Sequence, residues 1–272
     1  MTYSTLMVQL ELGQPNTDVL RITADLARRF DAAVIGIAGC QPMQMVVGDG
    51  YICGDLLAEN DQLIVAEMAA AEQQFRTALA GSVGALSWRG NLSCSSIADY
   101  IARAARAADL IVASTAPDIA DVQRRLNLDD LVMQAGRPLL VVPPAAPLLQ
   151  RVLIGWSDTR ETRRAVADAL PLLKMATQVV VVELDYANEQ DAAHNRLDDV
   201  CAWLHRHGID ATAVTAVSHG DEAKQLQGIA NDQHADVIVA GAFGHSRLLE
   251  WVLGGVTRSL LVPVGRCSLL SH

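Results

Sequence analysis

The strongest constraint on this chain is that one pattern of buried strands and helices occurs twice in its 272 residues. AADLIVAS at residues 107–114 matches HADVIVAG at 234–241, and AGRPLLVV at 135–142 matches VGRCSLLS at 264–271. TLMVQLELG pairs likewise with RVLIGWSD, at a longer spacing that indicates an insertion in the first copy within residues 40–59. Such self-similarity predicts two copies of one structural unit.

Each copy alternates short apolar runs with amphipathic helices. In the first helix, Val19 and Ile22 lie on one apolar face. The apolar runs lack alternation, which is typical of parallel strands covered on both faces. This order predicts an α/β fold of two tandem doubly wound, Rossmann-like domains, each with a five-stranded parallel sheet. The proline-rich linker PPAAPLLQ places the boundary between domains 1–146 and 147–272.

Composition excludes several classes of partner. The net charge of −10 opposes a broad surface for nucleic acid or anionic membrane, since both favour basic faces. No apolar run approaches the roughly 20 residues that span a bilayer, and the N-terminus shows no signal peptide. The five cysteines are scattered without a CxxC pair, which suits reduced thiols. We therefore expect a cytoplasmic protein with no nucleic-acid partner and no membrane partner.

The glycine-rich segment GAFGHSRLLEWVLGGVT follows a buried strand of the second copy. Because glycine lacks a Cβ, Gly241 and Gly244 let backbone N–H groups approach an anion closely. Gly254 and Gly255 precede an apolar helix, whose unpaired N–H groups and dipole favour negative charge. Thr257 adds a hydroxyl group or caps that helix. The pattern indicates a phosphate site, although a strand-end turn and a helix boundary would explain the same glycines.

Two charged side chains of this segment leave alternatives open. His245 either touches a phosphate or lies on the surface, and Arg247 either faces a polyphosphate or pairs with Glu250 at i+3. No Ser-His-Asp or Cys-His constellation, and no pair of carboxylates facing the cleft, can be assembled from the sequence at motif spacing. We therefore expect binding rather than catalysis.

The first copy lacks these glycines in the equivalent segment, STAPDIADVQRRLNLDD at residues 114–130. Pro117 stands where Gly244 would be and has no N–H group to donate. Four aspartates crowd the segment, and their charges oppose a polyphosphate. The fold is expected to close there without glycines, which weakens a turn-only role in the second copy. The first copy is therefore not expected to bind a nucleoside triphosphate.

At these residues the chain resembles the universal stress protein family, specifically its tandem two-domain members. Family domains that bind ATP carry Gly-x-x-Gly, nine residues, then Gly-(Ser/Thr) after the fourth strand. Gly241, Gly244 and Gly254 match this motif, and Val256–Thr257 match its common continuation. Gly255 departs from it by standing where the hydroxyl residue occurs. The resemblance implies an adenine nucleotide alpha hydrolase-like fold, ATP with or without Mg²⁺ in the second domain, and a degenerate first domain.

The resemblance also implies a base contact and an assembly. ATP-binding members present an Asp at the end of strand one, where this chain has Ser157 followed by Asp158. The adenine packs against the end of strand two, here around Leu184. In the family the last strand pairs across a two-fold interface. Residues 139–142 and 268–271 are therefore expected to pair within one chain, as an intramolecular pseudo-dimer that is open to further homodimerisation.

Together these observations predict a stress-response protein that binds ATP in its second domain, with the first domain as a structural or regulatory partner. Two alternatives stay open. A nucleotide-free dimerisation or interaction module would use the same fold without filling the glycine site. A slow ATP-hydrolysing enzyme would need an acid–base pair that the motifs do not show.

Overall fold

The chain divides into two compact units. Ser4–Ala135 form the N-terminal unit, and Gly136–His272 together with Met1–Tyr3 form the C-terminal unit. The structure is a computed structural model that describes residues 2–41, 54–81, 84–115, 124–185, 190–243, 255–262 and 265–272.

The N-terminal unit alternates strands and helices. In chain order its elements are β1 (Thr5–Gln9), α1 (Thr17–Phe30), β2 (Ala33–Gly39), α2 (Gly54–Ala78), β3 (Leu86–Asn91), α3 (Ile97–Ala104), β4 (Leu110–Ser114) and α4 (Leu128–Gln134). The strands lie in the order β3-β2-β1-β4, and the three pairings are parallel. Both faces of the central strand β1 are buried, as its unbroken apolar sequence predicts.

The C-terminal unit repeats the pattern and has two further strands, β5 before it and β10 after it. Its elements are β5 (Leu139–Val142), β6 (Arg151–Trp156), α5 (Arg160–Leu173), β7 (Gln178–Asp185), α6 (Gln190–Arg206), β8 (Ala211–Val217), α7 (Glu222–Asp232), β9 (Val237–Gly241), α8 (Gly255–Leu261) and β10 (Cys267–Ser271). The strand order is β5-β10-β9-β6-β7-β8, parallel throughout except for β5 against β10. The predicted α/β class with doubly wound parallel sheets is confirmed.

The pairing expected between the last strands is present. Leu140 lies opposite Leu269 in the antiparallel β5–β10 ladder, and both side chains are fully buried. This pairing places β5 in the C-terminal unit, although its sequence belongs to the first copy. The domain boundary after residue 146, which rests on the duplication, stays a prediction.

Local sequence signals set the helix starts. The side-chain oxygen of each N-cap residue accepts a hydrogen bond from the backbone N–H three residues later, which satisfies a donor that the helix cannot pair. This occurs at Ser96, Asn127, Thr159 and Asp221.

One aspartate in each copy anchors the start of the first strand. Asp109 Oδ2 accepts the N–H groups of Ser4 and Thr5 at 2.8 and 3.0 Å. Asp236 Oδ2 accepts those of Gln150 and Arg151 at 3.0 and 2.8 Å. The aspartate inside the duplicated AADLIV and HADVIV segments is therefore explained by folding, because it pairs strand-end donors at the amino edge of each sheet.

Candidate functional site

The carboxyl ends of β9, β6 and β7 lie side by side at one edge of the C-terminal sheet. Ligands of open α/β sheets bind outside this edge. Ser157 and Asp158 follow β6, Leu184 lies near the end of β7, and Gly241 ends β9. Gly255, Val256 and Thr257 open α8. The other predicted residues, Gly244, His245, Arg247 and Gly254, lie outside the described residues.

Gly241 packs directly against the first turn of α5. A Cβ at this position would lie 2.5 Å from the Thr162 backbone nitrogen and 2.7 Å from the Glu161 carbonyl carbon. Real Cβ atoms do not approach backbone atoms so closely, and backbone cannot move aside as a flexible side chain can. Gly241 therefore has a packing role that holds with or without a ligand.

Phe243 and Thr257 connect the end of β9 to the start of α8. The Phe243 N–H donates to Thr257 Oγ1 at 3.3 Å, and Thr257 is buried. Phe243 has a φ of 56°, a left-handed conformation that costs a non-glycine residue about 1–3 kcal/mol and that clusters at ligand-binding segments. The two ends of the glycine-rich segment are thus held together by a direct hydrogen bond.

The polar groups just before the Gly244 position already have protein partners. The Ala242 N–H donates to the Ser271 carbonyl at 2.8 Å, and the Ala242 carbonyl lies 3.1 Å from His272 Nδ1. The Phe243 and His272 rings also meet edge to face. The Ala242 amide is therefore not a free donor for an anion, so any anion nest begins beyond it.

Ser157 and Asp158, the residues after β6, are engaged with α5. Ser157 Oγ lies 2.9 Å from Thr162 Oγ1, which is also 3.1 Å from the capping hydroxyl of Thr159. Asp158 accepts a hydrogen bond from Arg163 at 2.8 Å, and both side chains are more than half exposed. Leu184 is partly buried between two acidic neighbours of β7. These three predicted residues lie at the expected edge, and the first two have partners of their own.

Three charged residues that the sequence reasoning did not single out form a cluster at the end of β7. Arg196 of α6 donates from Nε to Glu183 Oε1 at 2.8 Å and from Nη2 to Asp185 Oδ2 at 3.1 Å. Both carboxylates are buried. The alternation Glu-Leu-Asp was an available signal, because residues two apart on a strand share a face.

Burial dominates the electrostatics of this cluster. It raises the pKa of Glu183, the Arg196 hydrogen bond and charge offset this only in part, and the charges of Asp185 and Asp158 raise it further. The hydrogen bond that Arg196 donates to Glu183 is the main cause of the raised pKa of Arg196. The cluster is therefore a desolvated acid held by one arginine.

Two buried polar atoms at this edge have no hydrogen-bond partner in the described part of the chain. They are Trp156 Nε1, a donor, and Glu183 Oε2, an acceptor. Trp156 and Glu183 lie opposite each other in the β6–β7 ladder. Buried groups of this kind are normally satisfied, so both atoms call for an explanation.

Glu161 is a second buried acid at the edge, in the first turn of α5. Burial acts to raise its pKa, but a hydrogen bond from Arg160, its own backbone N–H and the charges of Arg160 and His272 outweigh that effect and lower it. Glu161 is therefore ionised and compensated at neutral pH.

The same edge of the N-terminal unit is closed by its own side chains. Ser114, which ends β4 as Gly241 ends β9, donates to Glu11 Oε1 at 2.8 Å. Asn16 accepts the Glu11 N–H at 2.8 Å and donates to the Glu11 carbonyl at 3.1 Å. Burial raises the pKa of Glu11, and the Ser114 hydrogen bond opposes that rise. Over the residues that the structure describes, this edge is a buried side-chain network.

Two absences apply to the described residues only. No group of three or more His, Cys, Asp or Glu side chains is arranged there to hold a metal ion. No helix in that part of the chain is long and apolar enough to cross a membrane.

Comparison with solved structures identifies the class of fold. A universal stress protein from Archaeoglobus fulgidus DSM 4304 matches with a TM-score of 0.69 and 14% identity, over 98% of this chain and 95% of that one. A putative universal stress protein from Pseudomonas aeruginosa UCBPP-PA14 matches with a TM-score of 0.66 and 16% identity, over 99% and 93%. A protein of unknown function from Pseudomonas aeruginosa PAO1 matches with a TM-score of 0.61 and 16% identity, over 99% and 92%.

The comparisons by sequence give no match. No family model and no curated protein matches this chain. At identities this low the structural matches show the fold alone. They cover nearly the whole chain, so the chain has the fold of two-domain universal stress proteins, and the resemblance stated from the sequence is confirmed at that level.

Proposed function

We propose that this protein is a cytoplasmic stress-response protein whose C-terminal domain, residues 147–272, binds an adenine nucleotide, ATP, at the carboxyl edge of β9, β6 and β7. The observation that carries the proposal is the hydrogen bond from the Phe243 N–H to Thr257 Oγ1, which joins the two ends of the glycine-rich segment at that edge. In a fold of this class, that is where ligands bind.

The residues at this edge offer what an adenine nucleotide requires. The first residues of α8, Gly255–Thr257, present backbone N–H groups at a helix start, where a phosphate is favoured. The unpaired Trp156 N–H and Glu183 oxygen offer a donor and an acceptor for a base. The residues present therefore fit both ends of a nucleotide. ATP would bring a transferable phosphoryl group to this edge.

Binding without turnover is the proposed mode. The acids at this edge are held by arginines, Glu183 and Asp185 by Arg196 and Asp158 by Arg163. The Asp158 and Asp185 carboxylates accept hydrogen bonds from these arginines, which directs them away from an attacking water molecule. Slow hydrolysis is the alternative that a phosphate-release assay decides.

A nucleotide-free interaction module is the second candidate, and the packing of Gly241 favours it. The first turn of α5 requires a glycine there whether or not a nucleotide binds.

Two shorter universal stress proteins that match this chain were solved with cAMP and with dAMP. Their TM-scores of 0.37 and 0.35 carry no argument for this chain, so the proposal does not rest on them.

The N-terminal domain is proposed to be a degenerate partner that binds no nucleotide. The Glu11, Ser114 and Asn16 network fills its edge with buried side chains, one of them a carboxylate that opposes phosphate.

We also propose that the two domains form an intramolecular pseudo-dimer, which is open to homodimerisation. Light scattering of the whole protein and of its separately produced halves tests that assembly.

The test of binding is calorimetric titration of the purified protein with ATP, with and without Mg²⁺, after extraction of any retained small molecule. We expect micromolar affinity that Gly244→Asp weakens at least about 100-fold, because a carboxylate would enter the phosphate position. Gly228→Asp is the matched control, since the space beside this α7 glycine is open. Absence of binding at millimolar ATP would establish the interaction module instead, and rapid phosphate release would establish the enzyme.

A further inference from the structure

Trp156 Nε1 is an unpaired donor and Glu183 Oε2 is an unpaired acceptor, each buried within the described part of the chain. Their residues are direct partners in the parallel β6–β7 ladder, so both side chains leave the same face of the sheet. Glu183 is 5% exposed, and Trp156 is half-buried. No other group in the described part of the chain pairs with either atom.

Arg196 determines which oxygen of Glu183 is available. Its Nε and Nη2 atoms both approach Oε1, at 2.8 and 2.6 Å, and Nη2 also holds Asp185. The carboxylate is therefore anchored through one oxygen and presents the other, Oε2, without a donor. The Arg196 side chain is 30% exposed, so the cluster reaches the surface at this edge.

A buried carboxylate oxygen without a donor is costly, and such groups in native proteins commonly await a ligand, a water molecule or an ion. A cation bound at this oxygen would lie close to the positive charge of Arg196, which repels it. A neutral group that donates one hydrogen bond and accepts another satisfies both atoms without adding charge. The 6-amino group of adenine donates, and the adjacent ring nitrogen accepts.

We propose that Trp156 and Glu183 read the base of the bound nucleotide, with Glu183 Oε2 accepting from the exocyclic amino group and Trp156 Nε1 donating to the neighbouring ring nitrogen. This inference rests on the proposed function and deepens it, since it assigns base specificity to two side chains. This pair selects the purine that carries the amino group.

The proposal is tested by the coupling between Glu183 and the amino group. ATP and purine riboside triphosphate, which lacks the 6-amino group, are titrated against the wild-type protein and against Glu183→Gln. We expect the wild type to prefer ATP at least about tenfold, because a buried charged acceptor is left unpaired by the other ligand. In the variant, the Arg196 donors hold the amide oxygen and turn its NH₂ group toward the base, so the preference for ATP is lost.

A second variant and a control keep the outcome interpretable. Trp156→Phe keeps an aromatic ring at this position and removes the N–H donor. It should lower the affinity for both nucleotides several-fold. Glu11→Gln changes a buried glutamate of the N-terminal unit and should leave both affinities unchanged. If the wild type binds both nucleotides equally, or Glu183→Gln keeps the preference, the base-reading pair is refuted while ATP binding stands. If the wild type binds neither nucleotide, the proposed function itself fails.

Discussion

The two copies of the repeat treat the same edge of the sheet in opposite ways. In the N-terminal unit, Ser114 ends β4 and its hydroxyl group closes onto a buried glutamate, Glu11. In the C-terminal unit, Gly241 ends β9, and the first turn of α5 occupies the space that a side chain would fill. The equivalent strand end therefore carries a side-chain hydrogen bond in one copy and a backbone contact in the other.

The difference extends to the acids at each edge. Glu11 is buried beside a neutral hydroxyl group, so burial raises its pKa. Glu161 is as deeply buried as Glu11, yet Arg160 lowers its pKa despite that burial. The edge of the N-terminal unit therefore contains a buried acid beside a neutral group, and the edge of the C-terminal unit contains a buried acid paired with an arginine. A duplicated fold can diverge in chemistry while its architecture is kept, because function depends on the residues of the site and not on the fold.

The largest effect expected from exchanging the two edges is on stability. Gly241→Ser places a Cβ within 3 Å of the α5 backbone, so we expect a loss of about 3 kcal/mol in the free energy of unfolding. The reciprocal Ser114→Gly variant loses one hydrogen bond, and its glycine loses more conformational entropy on folding. Together these lower the free energy of unfolding by about 1–2 kcal/mol. Denaturant unfolding with native-state hydrogen exchange measures each unit separately. Equal losses in the two variants would contradict the packing role of Gly241.

An intermediate effect is expected from pH, with opposite signs in the two units. The folded-state pKa of Glu11 lies above its usual value, so the folded state binds its proton more tightly and stability falls as pH rises through that range. The folded-state pKa of Glu161 lies below its usual value, so its contribution is present at neutral pH and is lost as pH falls toward 3.

The matched variants Glu11→Gln and Glu161→Gln test these signs. Glu11→Gln should destabilise less at pH 7 than at pH 4, because the wild type carries the cost of a buried charge only at the higher pH. Glu161→Gln should destabilise more at pH 7 than at pH 3. Thermal unfolding at the three pH values measures both differences. The comparison of the edges fails if the two variants respond to pH in the same direction.

The smallest effect is expected at Asp158. Its pair with Arg163 is more than half exposed on both sides, so Asp158→Asn should change stability by less than about 0.5 kcal/mol. ATP affinity should stay within twofold, because the carboxylate is directed to Arg163 of α5. Calorimetric titration of the variant, with Asp99→Asn in the N-terminal unit as control, checks this. A tenfold loss of affinity would instead place Asp158 in the nucleotide site.

Much of the fold could be predicted from the sequence because its signals are local. Unbroken apolar runs such as Val179–Val182 indicate strands buried on both faces, and caps such as Thr159 mark helix starts. The duplicated segments established two similar sheets. The order of elements also predicts that the site lies at the carboxyl edge, and this stays a prediction.

The contacts within the candidate site could not be predicted in the same way, because they join residues distant in sequence. The need for glycine at 241 depends on the approach of α5, which starts some eighty residues earlier in the chain. Arg196 meets Glu183 and Asp185 only because α6 folds back over β7. Gly244, His245, Arg247 and Gly254 lie outside the described residues, and their roles stay predictions.

The sequence by itself thus determined the α/β class and the duplication, since periodicity and capping act over a few residues. The edge at which a ligand would bind stays a prediction. Only the tertiary structure decided which polar groups at that edge are already satisfied and which are left over. That distinction depends on burial and on partners brought together across the sheet. The tertiary structure shows that packing against α5 requires glycine at position 241, and it identifies Trp156 and Glu183 as the residues with unpaired buried atoms.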